Sequence, residues 1–234
     1  CLTPDQHGST YEPAGLSPDG NLLYLRTDQE SEFVGLATLN LGSLQLLRLI
    51  SLDWDIEDAI LSPDGSSLIY SINRDAMSQL ILRDLKTNLE KTLGEHPPRV
   101  ISGLCWTQTS RAFAFALNSP KTGSDIWSYS LDSAHLVKLT ETPLNGIPRD
   151  SLVTPTVIRY QSFDGLDIPG LLYAPPEALP DSRNTVVILV HGGPAAQARP
   201  TFDASVQYLV GQGNVVFQTN VRGSTGYGKT FHHL

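Results

Sequence analysis

The pentapeptide Leu16-Ser-Pro-Asp-Gly20 recurs as Leu61-Ser-Pro-Asp-Gly65, and no other feature of the chain narrows its fold as far. An apolar strand follows each copy, Asn21 to Leu25 in the first and Ser67 to Ile72 in the second. A degenerate third copy pairs the turn Cys105-Trp-Thr-Gln-Thr-Ser110 with the strand Ala112-Phe-Ala-Phe-Ala116. A further strand then follows in each unit, at Phe33 to Leu39, Gln79 to Asp84 and Asp125 to Leu131. A last strand closes each, at Leu44 to Leu52, Leu89 to Leu93 and Leu136 to Thr140. Four short strands in roughly 40–45 residues is the period of a β-propeller blade. The turn has a mechanism, because Pro presets φ and Gly supplies a positive φ.

Blades cannot bury their faces alone, so Leu22, Tyr24, Ile69, Ile81, Phe113 and Trp127 are expected to pack between blades. Asp19 and Asp64 are expected to bond their own turn backbones rather than a metal. Three blades are too few for a ring of about 4 to 8, which predicts further blades upstream of Cys1. The start at Cys rather than Met, and the stop at His233-Leu234, read as cut ends.

The composition, 40% hydrophobic and 17% charged, supports a packed core over disorder. A formal net charge of −8 argues against a nucleic-acid or acidic-membrane partner. No apolar run approaches the roughly 20 residues of a membrane span, and nothing resembles a signal peptide. With only Cys1 and Cys105, no disulfide framework is indicated, and a reducing, cytoplasmic compartment is the default.

Prolines 143, 148 and 155, with Asn145 and Gly146, mark a junction over Thr140 to Thr156. Beyond it Asp164-Gly165 lies between the alternating runs Val157–Phe163 and Leu166–Tyr173, a strong hairpin signal. Pro169 inside the second run predicts an edge strand. Pro175, Pro176 and Pro180 lead on to an apolar strand at 185–190. Helix-like spacing follows at 202, 206, 209 and 210, closed by Gly211 and Gly213, and then a second apolar strand at 214–221. Strand, turn, helix and strand make a βαβ unit, whose two strands are expected to lie parallel and buried. The hairpin followed by parallel β/α fits the opening of an α/β-hydrolase sheet.

Two glycine-rich turns carry the chemistry. His191-Gly-Gly-Pro194, directly after a strand, matches the turn that supplies an oxyanion-hole N–H in α/β-hydrolases. Glycine suits that place because the backbone must approach a substrate carbonyl without a Cβ in the way. The tetrapeptide alone fits equally a plain strand-to-helix turn in which His191 is packed and hydrogen-bonded. Gly223-Ser-Thr-Gly-Tyr-Gly-Lys-Thr230 satisfies the P-loop pattern, in which Lys229 would reach phosphates and Thr230 a magnesium ion. Only Phe231 to Leu234 remain where the helix and acidic magnesium site would follow, so a structural glycine-rich turn is the stronger reading. No cofactor or metal is indicated.

Ser-Pro-Asp-Gly blades, a Phe-Asp-Gly hairpin, His-Gly-Gly-Pro and Asn220-Val-Arg-Gly-Ser-Thr-Gly-Tyr-Gly228 occur in that order. So ordered, the sequence resembles the prolyl oligopeptidase family of serine peptidases, in its acylaminoacyl-peptidase-like branch. The resemblance implies a propeller of seven or eight blades gating an α/β-hydrolase; of these the chain is expected to hold a partial β-propeller of about three blades (1–145), a linker (146–156) and the N-terminal part of the α/β-hydrolase domain (157–234). It implies that the Gly193 N–H is one oxyanion donor, with His191, Gly192 and Pro194 in the same substrate-site loop. Asn220, Arg222, Gly223 and Tyr227 match a loop that shapes the floor of the site and is mainly structural. The family's dipeptidyl-peptidase branch places a tyrosine hydroxyl where this chain has His191, so that device is absent. A peptide substrate is implied, and self-association is left open. No G-x-S-x-G occurs in the 234 residues, so the family's Ser, Asp and His are expected beyond Leu234. A non-catalytic propeller that binds partners through its rim is the alternative expectation.

Overall fold

Each Ser-Pro-Asp-Gly turn sets up a meander in the computed structural model, which describes residues 2, 8–94, 99–176, 184–193 and 195–234. The first meander is β1 (Tyr11–Leu16), β2 (Leu22–Thr27), β3 (Gly35–Asn40) and β4 (Leu46–Ile50). The second is β5 (Asp55–Leu61), β6 (Ser67–Arg74), β7 (Met77–Asp84) and β8 (Glu90–Leu93). The third is β9 (Val100–Trp106), β10 (Ala112–Ser119), β11 (Thr122–Ser130) and β12 (His135–Lys138). Each is a four-stranded antiparallel sheet in sequence order, which makes three propeller blades.

The turns hold themselves together as their chemistry dictates. Ser17 Oγ donates to Asp19 at 2.6 Å, and the Asn21 N–H donates to the same carboxylate at 3.2 Å. Asp64 repeats this with Ser62 Oγ at 2.6 Å and the Ser66 N–H at 3.0 Å. Gly20 and Gly65 take φ of +73° and +71°, and Ser110 fills the equivalent place in the third copy at +58°. A non-glycine residue there is strained. The Ser110 hydroxyl offsets the cost by accepting from the Asp64 N–H at 3.0 Å, which ties the third blade to the second.

Packing lies between blades as a propeller requires. Leu36 and Ile50 bury with Ile56, Leu61, Leu68, Tyr70 and Ile81, while Tyr24 packs against that cluster partly exposed. Ile69, Leu80 and Leu93 bury with Ile101, Leu104, Trp106 and Phe113, with Trp127 partly buried against them. Leu22 departs from expectation, being half-buried and outside every core cluster. It is the first residue of its strand.

The fourth sheet has the order β13-β14-β16-β15, from β13 (Thr156–Gln161), β14 (Asp167–Tyr173), β15 (Val186–Val190) and β16 (Val215–Thr219). β13 and β14 form the Asp-Gly hairpin, and β15 runs parallel to β16. Helix α1 (Ala204–Gly211) links the parallel pair, capped by the Asp203 carboxylate, which accepts from the N–H groups of Ser205 and Val206. Leu171, Tyr173, Val206, Val210 and Val216 form the core between sheet and helix.

Two expectations need correction. Pro169 does not mark an edge, because β14 lies between β13 and β16. Its carbonyl accepts from the Asn220 N–H at 2.9 Å, so its missing N–H falls just past the end of β16, where no ladder bond is lost. β15 is parallel but not buried, with Ile188 62% exposed, because among the described residues it is the outer strand of its sheet and α1 packs on one face, that of Val187 and Leu189. The junction is itself tied to helix α1. Leu152 is buried, and Val153 exchanges two hydrogen bonds with the side-chain amide of Gln207 on α1. Of the loop leading to β15, Pro180 lies outside the described residues.

Candidate functional site

Parallel pairing places two loops side by side. The last register pair of β15 and β16 is Val190 with Thr219, so His191 and Asn220 leave the sheet together at its carboxyl edge. In open α/β sheets that edge is where ligand-handling loops gather.

The first loop turns through His191, Gly192 and Gly193. Gly193 is exposed and takes φ +137°, and a Cβ there would come within 2.7 Å of the Ala195 N. Only glycine makes this turn without strain. Pro194 lies outside the described residues. The His191 imidazole spans the gap between the loops, with Nε2 2.9 Å from Ser224 Oγ and Nδ1 3.0 Å from the Gly192 carbonyl oxygen. Ser224 is fully buried, and its hydroxyl also lies 2.5 Å from the Val221 carbonyl. His191 is therefore a hydrogen-bonded post under the turn, and Ser224 is a site residue that motif reading passed over although it stands inside Arg-Gly-Ser.

The second loop is held by its own side chains. Asn220, fully buried, clamps the next stretch of the first loop: its Oδ1 accepts from the Ala198 N–H at 2.6 Å and its Nδ2 donates to the Ala198 carbonyl at 3.3 Å. Nδ2 also reaches the Tyr227 hydroxyl at 3.1 Å. Tyr227 packs edge-on against Trp54, between the first two blades, and against Phe231; burial raises its phenol pKa. Gly223, at φ +88°, receives Nδ1 of His232 on its carbonyl at 3.0 Å, and its N–H donates to the Phe231 carbonyl. Arg222 turns away from His191. It pairs with Asp164 at the hairpin tip and lies 5.0 Å from the centre of the Phe163 ring, which is 94% exposed. The Arg222 hydrogen bond holds the Asp164 carboxyl below its ordinary pKa. Asn220, Gly223 and Tyr227 thus gather beneath the first loop, whereas Arg222 lines a cleft with Tyr160, Ser162, Phe163, Ile168 and Val221.

The P-loop-like residues meet carboxylates of the first blade. Helix α2 (Gly228–His232) begins at the loop's end. Lys229 Nζ donates to the Asp28 carbonyl at 2.7 Å and lies 3.2 Å from its carboxylate. Glu32 accepts from the Thr230 N–H at 2.7 Å and from its hydroxyl at 3.0 Å. Among the described residues no group of three or more His, Cys, Asp and Glu is placed to hold a metal ion, and no helix is long and apolar enough to cross a membrane.

Residues 200–234 match the family model described as the prolyl oligopeptidase family. Dipeptidyl aminopeptidase BIII of Pseudoxanthomonas mexicana is 25% identical over 95% of this chain and 33% of its own length. A prolyl endopeptidase of Elizabethkingia miricola is 20% identical over 92% of this chain and 30% of its own length. Prolyl oligopeptidase B of Galerina marginata superposes with a TM-score of 0.85 at 18% identity, covering 98% of this chain and 33% of that one. The chain spans about a third of the length of the curated relatives it matches over most of its residues.

Proposed function

We propose that this chain is a member of the prolyl oligopeptidase family, forms the propeller-to-hydrolase segment of a serine peptidase and supplies one donor of its oxyanion hole. The observation that carries the reading is the turn at Gly193. It is exposed at the carboxyl edge of a parallel pair, in a conformation reserved for glycine, and braced from below by His191 on Ser224. Attack on a peptide carbonyl turns its oxygen into an oxyanion, and a backbone N–H fixed before the reaction stabilises that charge without reorganising. The nucleophile, base and acid come from the rest of the full-length protein, because these residues hold no G-x-S-x-G elbow. On this reading residues 1–145 are blades beside the site, 146–156 the connection and 157–234 the first part of the catalytic domain. Residues 1–234 alone are then inactive, and the substrate is a peptide.

The test is kinetic, in the full-length protein. Gly193→Val distorts the donor and crowds the carbonyl, and is expected to lower kcat by about 100-fold or more. His191→Asn removes the imidazole post and costs less. Lys229→Ala leaves kcat within a few-fold, since Lys229 faces Asp28. A Lys229→Ala variant without activity, beside a Gly193→Val variant that keeps most of it, would sink the assignment and reopen phosphate binding.

A further inference from the structure

The stretch just after the oxyanion turn is held less by its own domain than by the blades. Asn73 Nδ2 donates to Gln197 Oε1 at 2.8 Å, and Asn118 Oδ1 accepts from the Phe202 N–H at 2.8 Å. Between these Arg199 inserts into the second blade. Its Nε donates to the Ala76 carbonyl at 2.9 Å, one terminal nitrogen pairs with Glu57, and the other lies 3.1 Å from Ser78 Oγ. Ser78 Oγ donates to the other oxygen of Glu57 and accepts from the Ile101 N–H at 2.9 Å, so the anchor reaches the third blade as well. Both side chains are mostly buried, 20% exposed for Arg199 and 14% for Glu57. On the sheet side the same stretch is held, among the described residues, by Asn220 on Ala198, by the Thr225 N–H on the Ala196 carbonyl at 2.9 Å and by Tyr227 on the Gln197 side chain.

We propose that Arg199 is a positioning residue for the oxyanion turn: its fork on Glu57, Ala76 and Ser78 makes the placement of Gly193 depend on the docking of the second blade. The inference rests on the oxyanion reading above. A planar guanidinium fixes direction as well as distance, and three acceptors on one rigid blade define its pose. With the blade docked, the stretch from Ala195 to Phe202 is pinned on both sides and the turn cannot swing. With the fork lost, the hydrogen bonds to Asn220, Thr225 and Tyr227 and the single ones to Asn73 and Asn118 remain, none of them charged, and the Gly193 N–H gains freedom. The blade thereby adjusts the electrostatics of the site without touching substrate.

The experiment compares two inhibitors of the full-length protein: a peptidyl aldehyde, which forms an oxyanion on addition of the nucleophile, and the matching peptidyl alcohol, which forms none. Arg199→Lys, which keeps the charge and loses the fork, is expected to weaken the aldehyde about tenfold or more, a share of what one oxyanion donor supplies. The alcohol should bind unchanged within about twofold, with kcat falling and KM steady. Glu57→Gln, a change on the blade alone, should reproduce the pattern. Thermal melts identify any variant that fails to fold, and the milder Glu57→Gln then carries the test. Equal weakening of both inhibitors, or wild-type aldehyde affinity in Arg199→Lys and Glu57→Gln beside a lost affinity in Gly193→Val, overturns the role of Arg199 and leaves the oxyanion reading standing. Wild-type aldehyde affinity in Gly193→Val overturns both.

Discussion

Gly170 has no room for a side chain. A Cβ there would fall 2.3 Å from Phe217 Cε2 and 2.9 Å from the Gln218 carbonyl oxygen. The ring can shift but the carbonyl belongs to the β14–β16 ladder and cannot. Gly170→Ala is therefore expected to destabilise the α/β part by about 1–3 kcal/mol, the usual cost of overpacking. Calorimetry of the full-length protein checks this, and an unchanged melting temperature would show that the sheet yields more easily than its geometry implies. A similar constraint acts at Gly228, where φ is +88° and a Cβ would meet Glu32 Oε1 at 2.5 Å. The same residue type thus answers to different causes, close strand packing in one case and domain docking in the other.

Among elements, the Ser-Pro-Asp-Gly turn has the most measurable chemistry. The Ser62 hydroxyl first, and then the Ser66 N–H, hold the Asp64 carboxyl down to about 2, against an ordinary value of 3.8. A carboxylate whose folded pKa is depressed stabilises the fold above its unfolded pKa, and that contribution is lost as pH falls through the folded value. The turn should weaken as the medium is acidified from about pH 4 towards pH 2. Asp64→Asn keeps an acceptor for the turn but has no proton to gain. Hydrogen exchange at Ser66 and Ser67 should accelerate across that window in the wild type and stay flat in Asp64→Asn. The group is solvent-exposed, so the effect is local and salt-sensitive rather than global.

At the scale of the molecule, blades and sheet meet through charged pairs of unequal worth. Arg159 with Asp75 is the more exposed, and Arg199 with Glu57 the more buried. Exposed pairs contribute about 0–1 kcal/mol. Removing a partner from a half-buried, multiply bonded guanidinium costs about 1.5–3 kcal/mol. Asp75→Ala should then leave thermal stability nearly unchanged, while Glu57→Ala should lower it clearly. The reverse order in calorimetric melts would mean that the contact at Arg199 is incidental to docking.

The blade order, the hairpin and the βαβ unit were legible because each rests on local rules: a turn that needs Pro and Gly, a period of two along strands, a helical spacing between 202 and 210. The same rules located both glycine-rich loops, since a strand ending in glycines constrains the backbone wherever it lies. They failed where the outcome depends on neighbours distant in sequence. Pro169 reads as an edge signal because the residue cannot show that β16 stops just short of it. Val186, Ile188 and Val190 read as buried because apolarity cannot show which faces are covered. Arg222 and Arg199 look alike in the sequence, yet one pairs with the hairpin tip and the other with a blade more than a hundred residues away. Sequence alone determined the elements and the turns that need particular residues, because these are settled within a few residues of chain. Tertiary structure alone decided which charged side chains meet across the junction and which strand lies outermost, because those depend on how finished elements pack.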